Sequence, residues 1–75
     1  MEAIKINEND FGAHYNLGNS LYKRKMFAEA TAEYEKAEKL AATIPEKAAA
    51  LYNLGNVHMQ TNNTKKAAEL YKQAL

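Results

Sequence analysis

The chain has 75 residues, with ten basic and nine acidic side chains, a net charge of +1, two histidines and no cysteine. That length allows one small domain, burying about 60–65% of its unfolded surface, and the missing cysteines remove any disulfide or thiolate–zinc staple. The balanced charge leaves no footprint for nucleic acid, no run reaches the roughly 18–20 apolar residues of a membrane span, and residues 1–6 lack the apolar core of a signal peptide. Cytoplasm and periplasm remain equally open.

Few helix breakers interrupt the chain: one Pro and three Gly in 75 residues. Residues 1–6 read as the last turn or two of a helix, followed by the polar loop Asn7-Glu8-Asn9-Asp10. A first complete helix is predicted over about residues 11–24, with Asp10 as N-cap because its carboxylate can accept from the free amides of the first turn. Ala13, Leu17 and Leu21 fall on one face, with His14 and Gly18 beside them. Lys23, Arg24 and Lys25 close this helix, where cations complement the dipole.

The second helix is predicted over about residues 27–42. Phe27, Ala30, Tyr34, Ala37 and Leu40 or Ala41 make its apolar stripe, and Glu29, Glu33, Glu35, Lys36, Glu38 and Lys39 lie off it as a solvated face. Glu35 and Lys39 form an i,i+4 pair in the favourable orientation. The third helix begins near Pro45, a residue suited to a first turn, and Thr43 and Glu46 have capping-box spacing. It ends near Thr61, ahead of Asn62-Asn63, where asparagine tolerates left-handed backbone. The fourth runs from Thr64, a candidate cap, to the end, with Ala67, Leu70, Tyr71 and Ala74 as its stripe.

The pentapeptide Tyr-Asn-Leu-Gly-Asn occurs at residues 15–19 and again at 52–56, an offset of 37. The same offset carries Ala13 to Ala50, Ala30 to Ala67, Tyr34 to Tyr71 and Ala37 to Ala74. A duplication with this period marks a solenoid whose units bury apolar faces against one another. Gly18 and Gly55 lie mid-helix, where glycine costs about 1 kcal/mol relative to alanine. Their recurrence predicts a close approach by the partner helix, with Ala30 and Ala67 receiving it.

This arrangement resembles the tetratricopeptide repeat family, a 34-residue helix–turn–helix with the pattern W-x2-L-G-x2-Y…A-x3-F…P. Leu17-Gly18 and Leu54-Gly55 match the central pair. Ala30-x3-Tyr34 and Ala67-x3-Tyr71 match the second helix, with Tyr for Phe. Ala3, Ile4, Ile6 and Asn7 are similar to the close of a preceding repeat. The resemblance implies an all-α, right-handed solenoid, with residues 1–7 ending one repeat, residues 11–44 forming the first and residues 45–75 a truncated second. His14 and Leu51 stand where the family often has Trp, Leu21 and His58 where it has Tyr, and Lys25 and Asn62 where it has the turn Gly. The three extra residues of the period are expected in the Ala41 to Pro45 region, as an added turn on the second helix or a longer loop. More loosely, the chain resembles tetratricopeptide proteins of bacterial aerotolerance operons, which carry a related helix and a lengthened first repeat.

The resemblance implies a protein-interaction scaffold whose concave groove is lined by the first helix of each repeat. Its groove residues here are Tyr15, Asn19, Tyr22, Tyr52, Asn56 and Met59. Asparagine offers both donors and an acceptor to a peptide backbone, and tyrosine offers wide contact with a polar tip. Intramolecular packing of the same residues is the competing expectation, and Asn16 and Asn53 are expected to brace neighbouring repeats. A subgroup of the family clamps chaperone carboxyl termini. Asn19 and Asn53 fall at its Asn positions, but Tyr15 replaces its Lys, which removes the electropositive part. An alternative function is self-association through an uncapped fourth helix exposing Ala67, Leu70, Tyr71 and Ala74. No enzymatic role, cofactor, metal, nucleic-acid partner or membrane insertion is expected. His14 and His58 sit on core stripes as structural histidines, and no third metal ligand lies at sensible spacing. Asn62-Asn63-Thr64 is a glycosylation sequon only in form.

Overall fold

The computed structural model describes residues 10–75. Among them the chain forms four α-helices and no strand: α1 (Phe11–Lys23), α2 (Phe27–Leu40), α3 (Ile44–Gln60) and α4 (Thr64–Ala74). α1 packs on α2 and α3 on α4, while α2 packs on α3 and joins the two hairpins. This is the all-α helix–turn–helix repeat architecture that the sequence implies. The helix end expected at residues 1–7 lies outside the described residues.

The helix boundaries have local causes. Asp10 caps α1, its Oδ1 accepting from the Gly12 amide at 2.9 Å. Thr43 caps α3, its Oγ1 accepting from the Glu46 amide at 3.2 Å. Glu46 reaches back in turn, but to the amide of Ala42 rather than to that of Thr43, at 2.8 Å. The two tight turns within the hairpins are built alike. After α1 the Met26 amide donates to the Leu21 carbonyl and the Lys25 amide to that of Tyr22, both at 2.9 Å. After α3 the Asn63 amide donates to His58 and the Asn62 amide to Met59, at 2.7 and 3.3 Å. Both pairs form the Schellman pattern that closes a helix, which requires a left-handed residue. Lys25 and Asn62 occupy it with φ of 61° and 63°.

Three expectations shift. α2 stops at Leu40, short of residue 42, and Ala41 turns to extended backbone. α3 starts at Ile44, one residue ahead of Pro45, and has 17 residues against 13 in α1. The extra residues therefore form an added turn at the start of α3, not on α2. The capping box at Thr43 starts the new helix as soon as the chain clears Ala41. Thr64 is the first residue of α4 rather than its cap. Asn63 holds the cap position, with no side-chain capping bond.

The core is centred on α2, α3 and α4. Ala30, Tyr34 and Ala37 from α2, Ala50, Leu51, Leu54 and Val57 from α3, and Ala67 and Leu70 from α4 are all buried. α1 contributes His14 and Gly18, while Ala13, Leu17 and Leu21 are only half-buried. Full burial of a Val or Leu side chain is worth about 1.5–3 kcal/mol, so α3, packed on both sides, is the best-anchored element.

Candidate functional site

The repeated pentapeptide places two Tyr–Asn pairs on corresponding faces of α1 and α3, and α2 and α4 complete them. The Tyr34 hydroxyl donates to Asn19 Oδ1 at 2.5 Å. One repeat later the Tyr71 hydroxyl donates to Asn56 Oδ1, also at 2.5 Å. Asn53 links the two halves. Its Nδ2 donates to the Tyr15 hydroxyl at 2.8 Å and to Asn19 Oδ1 at 3.1 Å. Its Oδ1 accepts from Asn56 Nδ2 at 3.4 Å. The result is one polar chain, Tyr34–Asn19–Asn53–Asn56–Tyr71, crossing from the first hairpin to the second.

Aromatic contacts hold the hydroxyls in place. The Tyr15 ring lies 5.3 Å from Phe11 and 6.0 Å from Tyr34, and the Tyr52 ring lies 5.2 Å from Tyr71. Tyr22 meets Phe27 edge-on at 5.7 Å. Burial pushes the Tyr34 phenol up to about 12, with the neighbouring Tyr15 and Tyr22 adding to it. Burial also raises Tyr71 above its ordinary value. Both phenols are therefore neutral at pH 7 and stay hydrogen-bond donors to their asparagines.

The six groove residues consequently differ in accessibility. Tyr52 is 56% exposed and Met59 47%. Tyr15, Asn19, Tyr22 and Asn56 are half-buried; Asn19 and Asn56 belong to the internal polar chain, and Tyr15 is bonded to its Asn53. Intramolecular packing thus accounts for part of this set. The expectation that an asparagine here meets a ligand with both donor and acceptor narrows, because Asn19 Oδ1 already accepts from both Tyr34 and Asn53, and Asn56 Oδ1 accepts from Tyr71. Asn53 braces the preceding repeat as expected, while its counterpart Asn16 is exposed. The Asn–Tyr link was missed from sequence, although its spacing of 15 residues recurs in both repeats.

Two further corrections concern charge and self-association. Glu33 is not on a solvated face. Its side chain is 14% exposed and its Oε1 accepts from His14 Nδ1 at 2.6 Å, with Lys36 Nζ at 3.4 Å from Oε2. The His14 bond is the main cause holding the Glu33 carboxyl below its ordinary value, and Lys36 adds to it against the opposing effect of burial. The proposed self-association face is also partly internal. Ala67 and Leu70 are buried against the hairpin's own core, because the stripe of α4 turns toward α3. Only Tyr71 and Ala74 remain half-open.

Among the described residues no three His, Asp or Glu side chains gather as a metal site, and no helix is long and apolar enough to cross a membrane. Stacked helical hairpins, close-packed at Gly18 and Gly55 and joined by a repeating polar chain, define a helical-repeat scaffold. A sequence model of the tetratricopeptide repeat matches residues 10–75, and the chain belongs to that family. Members are in general protein–protein interaction modules and typically non-catalytic scaffolds. No curated protein matches the chain.

Proposed function

We propose that the chain holds a protein segment, as an extended peptide or a docked helix, against the face formed by Tyr52, Asn56 and Met59 on α3 and Tyr22 on α1. The observation that carries this reading is the exposure of Tyr52 and Met59, two large side chains four and three residues from the half-buried Asn56. Residues at i, i+4 and i+7 share one helix face. Tyrosine and methionine offer broad, adaptable contact, and the free N–H of Asn56 suits a backbone carbonyl on the partner. Tyr15 and Asn19 act here as the rigid support of the groove rather than as its contact surface.

The test uses peptides selected for binding by display on the intact chain, followed by titration. Tyr52→Ala with Met59→Ala is expected to weaken the selected peptides by at least about tenfold, the loss two truncated contact residues of more than 1 kcal/mol each would give. Helicity by circular dichroism is expected to stay unchanged, since neither residue is buried. Peptides that bind both forms equally well would exclude this face.

A further inference from the structure

The polar chain between the hairpins has a direction, and one buried group sets it. Tyr34 is 2% exposed, and Asn19 Oδ1 is the one partner of its hydroxyl among the described residues, at 2.5 Å. A buried hydroxyl with a single partner has to donate to it, so Asn19 turns its oxygen toward Tyr34. The same oxygen lies 3.1 Å from Asn53, which therefore brings its nitrogen to that side and its oxygen to the other. That oxygen lies 3.4 Å from Asn56, which must bring its nitrogen in turn. Asn56 Oδ1 is then left to accept from the Tyr71 hydroxyl at 2.5 Å. Turned over, an amide exchanges nitrogen and oxygen with little change of shape. Tyr15 and Tyr71 do not prevent such a reversal, because both are half-buried and their hydroxyls can meet water in either sense. Only the buried Tyr34 hydroxyl does.

We infer that the Tyr34 hydroxyl, acting through Asn19 and Asn53, holds the Asn56 amide as a hydrogen-bond donor toward the partner, and that the segment held there is an extended one presenting a free backbone carbonyl. This rests on the groove reading above and names the chemistry of its partner. Asn56 has its oxygen on Tyr71 and one N–H on Asn53, which leaves one N–H to give. A docked helix has little to offer it, since helical carbonyls are taken by amides four residues on, apart from those of the last turn. An extended segment leaves its carbonyls open along its edges. Tyr34 itself touches no partner. It is a positioning residue, on the first hairpin, for a contact made on the second.

The experiment starts from peptides selected by display on the intact chain and replaces their backbone amides one at a time by esters, which weakens one carbonyl acceptor at each step. One ester is expected to weaken wild-type binding by about two- to tenfold, the loss of a single hydrogen bond. Asn56→Asp, which puts an oxygen where the donor stands, is expected to abolish that ester's effect. Tyr34→Phe keeps the ring that fills the space beside Gly18 and removes only the hydroxyl. It is expected to reduce the same effect with helicity unchanged. In nitrogen-resolved NMR the Asn56 side-chain amide, one sharp pair of signals in the wild type, is expected to double or broaden in Tyr34→Phe, while that of Asn62 on the α3–α4 turn stays as it was. Carbon shifts of a labelled peptide are expected to report extended backbone in the complex. A helical bound peptide, an ester effect that survives Asn56→Asp, or an Asn56 amide untouched by Tyr34→Phe would each overturn this inference while leaving the groove standing. Peptides indifferent to Tyr52→Ala with Met59→Ala would remove the groove and this inference together.

Discussion

At the scale of single residues, the duplicated glycine has a more specific role than helix proximity. A Cβ at Gly18 would lie 2.6 Å from Cε1 and 2.7 Å from Cδ1 of Tyr34, and one at Gly55 would lie 2.5 Å from Cε1 of Tyr71. The ring of the second helix, not Ala30 or Ala67, occupies the space the missing side chain leaves. Each glycine is thus matched to the tyrosine whose hydroxyl is fixed to the asparagine one residue further on. Alanine would gain about 1 kcal/mol in helix propensity but would force a ring to move, and overpacking of this kind costs about 1–3 kcal/mol. Tyr34 is buried under α3 and has nowhere to go, whereas Tyr71 is half-open. Gly18→Ala is therefore expected to destabilise by up to about 2 kcal/mol net, and Gly55→Ala by less, in urea unfolding followed by circular dichroism. Equal losses, or a gain at Gly18, would show that the ring shifts freely. The sequence revealed that a small residue was needed here, because the pentapeptide repeats. It did not reveal which atom needed the space, because the partner lies 16 residues away on another helix.

At the scale of elements, the helix–helix turns were legible as turns, and the chemistry at their centres was only half legible. Asn62 signals a left-handed residue by its type, while Lys25 stands out only by its place where the family has glycine. Both adopt the same φ, because the Schellman bonds to Leu21 and His58 set the backbone whatever side chain it carries. A left-handed non-glycine residue costs roughly 1–2 kcal/mol, and asparagine less than lysine. Lys25→Gly is expected to stabilise the chain by up to about 1 kcal/mol, reduced somewhat by the greater freedom of glycine in the unfolded state. Asn62→Gly is expected to do less, and thermal unfolding of the two variants side by side orders them. The α2–α3 connection was harder to read. The insertion was visible as three extra residues, but nothing in composition separates an extension of α2 from an early start to α3. That choice rests on Glu46 and Thr43 closing their capping bonds around Ala42 to Glu46, a geometry that spacing suggests but does not fix.

At the scale of the whole molecule, the two repeats hold one backbone plan with different interiors. His14 and Glu33 in the first hairpin correspond, at an offset of 37, to Leu51 and Leu70 in the second. All four sit inside their hairpins: Leu51 and Leu70 in the shared apolar cluster, and His14 against Glu33 at 2.6 Å. The second hairpin therefore demonstrates that an apolar pair fits where the first has a polar one. Replacing a largely buried hydrogen-bonded pair by well-packed apolar residues of similar shape is often neutral or stabilising, whereas removing one partner leaves the other uncompensated. His14→Leu with Glu33→Leu is expected to match or exceed wild-type stability at pH 7. His14→Leu alone, which leaves the Glu33 carboxylate in place, is expected to cost about 1–3 kcal/mol. The pair also carries a pH signature. Because the folded state holds the Glu33 carboxyl below its ordinary value of 4.5, its contribution is complete above that value. It is lost as pH falls from 4.5 through the lower folded value, where the unfolded chain binds the proton first. Urea midpoints at pH 7 and pH 3 should thus fall more steeply for the wild type than for the double variant. If the two fall in parallel, the acid sensitivity lies elsewhere in the chain, and the first repeat gains nothing over the second from its polar interior.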